Sequence, residues 1–177
     1  MNKPLVGIIM GSDSDLPVMK EAAEVLEQLG VALEVHTLSA HRTPEAVAKY
    51  VSESEMNGYK VFICGAGGAA HLAGVVAAHT ALPVIGVPLM SAKMGSAGVD
   101  ALFSTVQMPP GIPVATVGVN GAKNAGVLAA QIIGAGDQEI RKNVVAYKAK
   151  MAKDIVTKDQ TLQEKGFKRY LEERGML

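Results

Sequence analysis

A chain of 177 residues, 49% of them apolar, has room for one domain with a tail and enough apolar side chain to bury a real core. Lysine plus arginine equals aspartate plus glutamate at 17 each, so the field of the whole protein does not draw in a polyanion, and nucleic acid is excluded as the expected partner. The single cysteine, Cys64, rules out an internal disulfide and a zinc-ligand cluster, which points to a reducing, cytoplasmic setting with a small-molecule partner and no metal.

The apolar run 5–10 is cut off by Gly-Ser-Asp, too short for an export signal or a membrane span. It reads instead as a first strand. Four more short aliphatic runs follow at 33–37, 61–64, 84–87 and 114–117, separated by helix-length segments. That alternation predicts an α/β domain, a three-layer αβα sandwich around a five-stranded parallel sheet.

After the first strand, Val18, Ala22, Val25, Leu26 and Leu29 recur at helical spacing, and Gly30 stands where a left-handed cap is wanted. Thr43-Pro44-Glu45 predicts a second helix, with Thr43 as N-cap, Pro44 in the first turn and an acid complementing the dipole. Between residues 61 and 136 only Lys93, Asp100 and Lys123 are charged. A helix such as 71–79, with no charged face, is expected to be buried all round, so further copies of the chain are expected to cover it. Charges return after Asp137, where Ile140, Val144, Tyr147, Met151 and Ile155 form one stripe on a charged helix. The chain thus divides into an α/β catalytic domain, 1–136, and a C-terminal helical extension, 137–177, that docks on the oligomer.

Ligands of open parallel sheets bind outside the carboxyl ends of the strands, so the first three strand-to-helix loops are the places to search. Gly11-Ser12-Asp13-Ser14-Asp15 offers hydroxyls, flexible backbone and a helix N-terminus to a phosphate, or else simply a helix cap at Ser14 or Asp15. Asp15 suits sugar hydroxyls or a ring amine, since a carboxylate repels a dianion at close range; Asp13 has no assigned role. In Ser39-Ala40-His41-Arg42-Thr43-Pro44 a proton-exchanging group adjoins a permanent bidentate cation, a pairing suited to acid–base chemistry on an anion. His36, His79 and Cys64 are expected to be structural.

Gly65-Ala66-Gly67-Gly68-Ala69-Ala70 formally matches a dinucleotide fingerprint, but the acid required at the end of the next strand is missing and residues 85–90 read Ile-Gly-Val-Pro-Leu-Met. The run instead predicts a wall free of large side chains where a substrate touches backbone, with His71 behind it. No Walker motif occurs, and the chain has no Trp and few Phe or Tyr with which to stack a flavin. A non-catalytic flavodoxin-like nucleotide-binding module is therefore the weaker alternative, and no cofactor is expected.

Together, the segments 10–15, 39–44 and 65–72 closely resemble the N5-carboxyaminoimidazole ribonucleotide mutases, the PurE family, and the likeness continues through Pro83 to Pro88, Val106 to Val114 and Lys123-Asn124-Ala125. The resemblance implies a flavodoxin-like sheet, a homo-octamer with sites built from more than one subunit, and an ATP-independent isomerase of purine (IMP) biosynthesis that moves a carboxylate from the exocyclic nitrogen to C4. It further implies His41 as general acid–base, Ser12, Ser14, Asp15, Ser39 and Arg42 as ligands of the ribonucleotide and its phosphate, Gly67 as the carboxylate contact, and His71 as a residue closing the pocket. A second branch of that family uses free carbon dioxide, as an aminoimidazole ribonucleotide carboxylase; the glycine loop with His71 resembles the mutase branch.

Overall fold

The structure is a computed structural model that describes residues 3–90 and 98–176; Lys93 lies outside them. Five parallel strands, β1 (Val6–Met10), β2 (Leu33–Thr37), β3 (Val61–Gly67), β4 (Val84–Leu89) and β5 (Ala115–Thr116), form one sheet in the order β2-β1-β3-β4-β5. Every pair is parallel, as right-handed βαβ crossovers require. Helices α1 (Leu16–Gln28) and α5 (Ala122–Gly134) cover one face. There Ile8, Met10, Ile63, Ile85 and Val87 pack with Met19, Ala22, Val25, Leu26, Ala129 and Ile133. Helices α2 (Pro44–Met56), α3 (Leu72–Ala78) and α4 (Val99–Val106) cover the other, where Ile9, Phe62, Cys64 and Val84 meet Val47, Val51, Leu72 and Val76. The predicted sandwich is what forms.

The long helix α6 (Gln138–Lys165) starts on an Asp137 cap, whose carboxylate accepts the N–H groups of Glu139 and Ile140 at 2.9 and 3.1 Å. Arg141 turns back and donates to the Gly134 and Ala135 carbonyls, closing the end of α5. The stripe expected on α6 begins docked, with Ile140 and Val144 buried, and then runs into solvent at Met151 and Ile155. A short α7 (Phe167–Glu173) follows, tied to α6 by the Lys165–Glu173 ion pair.

Three sequence expectations change. Strand β3 continues through Gly65, Ala66 and Gly67, because Val87, Pro88 and Leu89 of β4 supply ladder partners that small residues can join. Thr43 does not cap α2; no side-chain bond reaches forward into the helix. The predicted fifth strand, 114–117, keeps only Ala115 and Thr116 in the sheet, and in the single chain the helix predicted at 71–79 buries Leu72, Ala73 and Val76 and leaves His71, Ala78 and His79 exposed. His36 sits in β2 beside Glu34 at 3.3 Å and against the Tyr50 ring, and Cys64 is buried, where desolvation pushes its thiol well above the usual range.

Pro88 is an unusual residue for a strand. It is accommodated because β5 pairs only as far as Gly86, and the loop beyond takes over the edge. The Gly86 carbonyl accepts from Val117 N–H at 3.1 Å, the Pro88 carbonyl from Asn120 N–H at 2.8 Å, and Met90 N–H donates to the Asn120 side-chain oxygen at 3.0 Å. Asn120 does this with a left-handed backbone, φ 56°.

Candidate active site

The sheet reverses its winding at β1, from which the chain goes first to β2 and then crosses to β3 on the other side. Met10 at the end of β1 pairs with both Thr37 and Gly65, so the loops after β1, β2 and β3 emerge side by side at the switch point. Between them lies a cavity of about 370 Å³, lined by Gly11, Ser12, Asp15, Ser39, Ala40, His41, Arg42, Ala66, Gly67, Ala69 and Leu72. Loops far apart in sequence thus contribute to one concave surface, the usual form of a small-molecule site.

Six of the eight residues expected at the site line this cavity: Ser12, Asp15, Ser39, His41, Arg42 and Gly67. Ser14 and His71 stand one hydrogen bond behind it. The Ser14 hydroxyl donates to the Ser12 hydroxyl at 2.9 Å, and Ser12 also accepts the Ser14 N–H, so residues 12–15 make a tight turn that leads into α1. No side-chain bond from Asp15 caps α1; its carboxyl is left for the cavity. Burial pushes that carboxyl above the ordinary aspartate range, a backbone hydrogen bond from Ser12 pulls it down, the Asp13 charge raises it and the Arg42 cation lowers it.

His41 Nε2 lies 2.9 Å from His71 Nδ1, the rings meeting edge-to-face with centroids 5.0 Å apart. The contact requires one nitrogen to carry a proton and the other to be bare, so each ring sets the tautomer and orientation of its neighbour. Arg42 bridges two loops. Its Nη2 donates to the Gly11 carbonyl at 2.5 Å and its Nε to the Ser39 hydroxyl at 3.3 Å, while Ser39 also accepts the Arg42 backbone N–H at 3.2 Å. The guanidinium thereby ties the loop after β2 to the loop after β1, directly before the serine turn.

The rest of the lining includes Ala40, Ala66, Gly67, Ala69 and Leu72, small or apolar without exception. Leu72 and the alanines carry no chemical signal in a sequence, and only the run of small residues at 65–70 hinted at such a wall. Gly68 turns the chain with φ 62°, a conformation that favours glycine. Among the described residues, no three His, Cys, Asp or Glu side chains gather so as to hold a metal ion, and no helix is long and apolar enough to cross a membrane.

The family model described as AIR carboxylase matches residues 5–154. An N5-carboxyaminoimidazole ribonucleotide mutase of Thermotoga maritima is 54% identical over 171 residues, covering 97% of this chain and 99% of that protein. A phosphoribosylaminoimidazole carboxylase of Saccharomyces cerevisiae is 49% identical over 174 residues, 98% of this chain but 30% of that longer protein. A crystal structure of Treponema denticola PurE superimposes with a TM-score of 0.81 at 35% identity, covering 90% of this chain and 98% of that one. With the family model matched over most of its length and its fold shared with a solved protein at 35% identity, this chain belongs to the AIR carboxylase family.

Proposed function

We propose that the protein converts N5-carboxyaminoimidazole ribonucleotide to 4-carboxy-5-aminoimidazole ribonucleotide, a step of purine biosynthesis, without ATP or a cofactor. The observation that carries this reading is the meeting of His41, Arg42, Ser12, Ser39 and Asp15 around one cavity whose remaining wall is small and apolar. The mutase name of a relative 54% identical over nearly the whole chain supports it.

In this reading Arg42, Ser12, Ser14 and Ser39 hold the phosphate, Asp15 takes the sugar hydroxyls, and Gly67 offers backbone to the carboxylate. A carbamate loses carbon dioxide more readily when its charge leaves water, an environment suited to the wall of Ala40, Ala66, Gly67, Ala69 and Leu72. The N–C bond breaks, its electron pair stays on nitrogen, and His41 protonates that nitrogen. The carbon dioxide stays within contact distance at high effective concentration, so C4 captures it before it escapes. His41 then removes the C4 proton, restoring the aromatic ring and its own starting state. His71 closes the pocket and holds the His41 ring through the 2.9 Å contact.

The same reading takes the protein as a cytoplasmic homo-octamer, with 1–136 as the catalytic domain and 137–177 packed on the assembly. Support comes from the apolar side chains that the single chain leaves in solvent, Val99, Phe103 and Val106 on α4 and Met151, Ile155 and Val156 on α6. Light scattering tests the assembly; a stable monomer at micromolar concentration overturns it. The reaction is tested by interconverting the two carboxylated ribonucleotides with neither ATP nor added bicarbonate. Turnover that appears only with bicarbonate assigns the protein to carboxylation by free carbon dioxide, and binding without turnover assigns it to the non-catalytic class.

A further inference from the structure

We propose that Thr43 is a positioning residue that sets both His41 and Arg42, an inference that rests on the roles proposed for those two side chains. A threonine directly before Pro44 at the start of a helix ordinarily turns its hydroxyl forward to the first free N–H groups. Here, with φ −140° and ψ 52°, no such bond is made. The hydroxyl turns backward instead. It accepts the Ser39 N–H at 3.0 Å and donates to the Ser39 carbonyl at 3.1 Å, the same carbonyl that receives the Thr43 N–H at 2.8 Å.

Both peptide groups flanking Ser39 are therefore stapled to residue 43, and Ala40, His41 and Arg42 become the bridge of a closed five-residue ring with His41 at its centre. The staple reaches Arg42 by a second route. It fixes the backbone of Ser39, whose hydroxyl accepts both the backbone N–H and Nε of Arg42, and this steers Nη2 to the Gly11 carbonyl. At its other end the His41 ring is held by His71. Thr43 is not itself among the residues lining the cavity, so its influence on a ligand passes through its neighbours.

The α2 helix does not depend on the missing cap. It retains Pro44 in its first turn, Glu45 complementing the dipole, and the Val47 N–H donating to the Thr43 carbonyl at 3.1 Å. A hydroxyl withheld from the helix and used on a loop that carries an acid–base group and an anion clamp is the pattern of a preorganised site, where a misplacement of about 1 Å can cost roughly a hundredfold.

The test compares Thr43→Val, which keeps the shape and removes the hydroxyl, with Thr43→Ser, which keeps the hydroxyl. Thr43→Val is expected to lose about tenfold or more in kcat and to raise KM several-fold, and Thr43→Ser to restore both to within about threefold. In an Arg42→Ala background the KM effect of Thr43→Val should vanish while its kcat effect persists, because the two losses run through different side chains. A crystal structure of Thr43→Val should show the His41–His71 contact broken, a readout that needs no reaction. If that contact breaks but the parent protein catalyses nothing, the functional reading falls and the staple stands. If the ring contact and the kinetics are unchanged in Thr43→Val, or if Thr43→Ser is equally impaired, the inference is overturned. Should Thr43→Val not fold, Thr43→Ala carries the same comparison.

Discussion

Replacing Gly126 by alanine asks whether α5 and α1 touch backbone to backbone. A methyl group at Gly126 would stand 2.4 Å from Val25 Cγ1, 2.7 Å from the Ala22 carbonyl oxygen and 3.2 Å from Ala22 Cα. Unstrained carbon contacts need about 3.5 Å, so the helices must part by roughly half an ångström or more. Val25 is 2% exposed and β-branched, with one strongly preferred rotamer in a helix, so swinging it aside is costly. Overpacking of this kind costs about 1–3 kcal/mol, and a backbone atom among the contacts puts the value in the upper half. Against it stands the better helix propensity of alanine, about 1 kcal/mol. The clash wins by about 1–2 kcal/mol, which for a chain of this length lowers Tm by about 2–8 °C. Calorimetry should be run at one fixed protein concentration, since in the proposed assembly Tm depends on it. Gly136→Ala is the control: nothing lies within 4 Å, and stability should hold or rise slightly. A Gly126→Ala protein as stable as its parent would refute the packing argument, because the propensity gain would then have met no opposition.

His41→Asn should lose on the order of a hundredfold or more in turnover with product binding nearly intact, whereas Arg42→Ala should chiefly raise KM; steady-state kinetics with calorimetric titration separates the two. Near-normal turnover in His41→Asn would hand the proton to His71. Tyr59→Phe removes the 2.5 Å hydrogen bond to Glu34, the main reason that carboxyl lies below its usual value of 4.5. A lowered carboxyl stabilises the fold above its unfolded value and loses that contribution as pH falls through the folded one, so Tyr59→Phe should cost roughly 1 kcal/mol at neutral pH. Denaturant midpoints should show that difference shrinking in acid; an equal gap at both pH values would contradict it. Dialysis against EDTA should leave turnover unchanged, and activity that disappears and returns with a divalent ion would overturn a mechanism of proton transfer alone.

Strands β1, β3 and β4 were legible because buried parallel strands are mostly aliphatic runs, and helix α1 because its apolar stripe ends at Gly30, which has the expected positive φ of 77°. What the pattern within each element missed was settled by partners outside it. Gly65 to Gly67 read as loop, since nothing in three small residues announces that Val87 to Leu89 will pair with them. Thr43 carried the signature of a cap, yet its hydroxyl found both peptide groups of Ser39 nearer to hand. The loops that bear Ser12, His41 and Gly67 could be named from switch-point logic, but the His41–His71 contact, 30 positions apart, and the grip of Arg42 on the Gly11 carbonyl are properties of the folded sheet.

The loop that takes over the edge of β4 bears on aggregation. A sheet edge with unspent N–H and C=O groups is a template on which a strand from another molecule can grow, and the aliphatic sequence of β4 would make an adhesive one. Here Pro88 has no N–H to offer, its carbonyl and that of Gly86 are occupied, and Met90 N–H is taken by the side chain of Asn120. One asparagine in a left-handed turn thus imitates a neighbouring strand, accepting with its side chain and donating with its backbone. Self-association through this edge is blocked, which leaves side-chain surfaces, with their greater selectivity, to decide which molecules this chain joins.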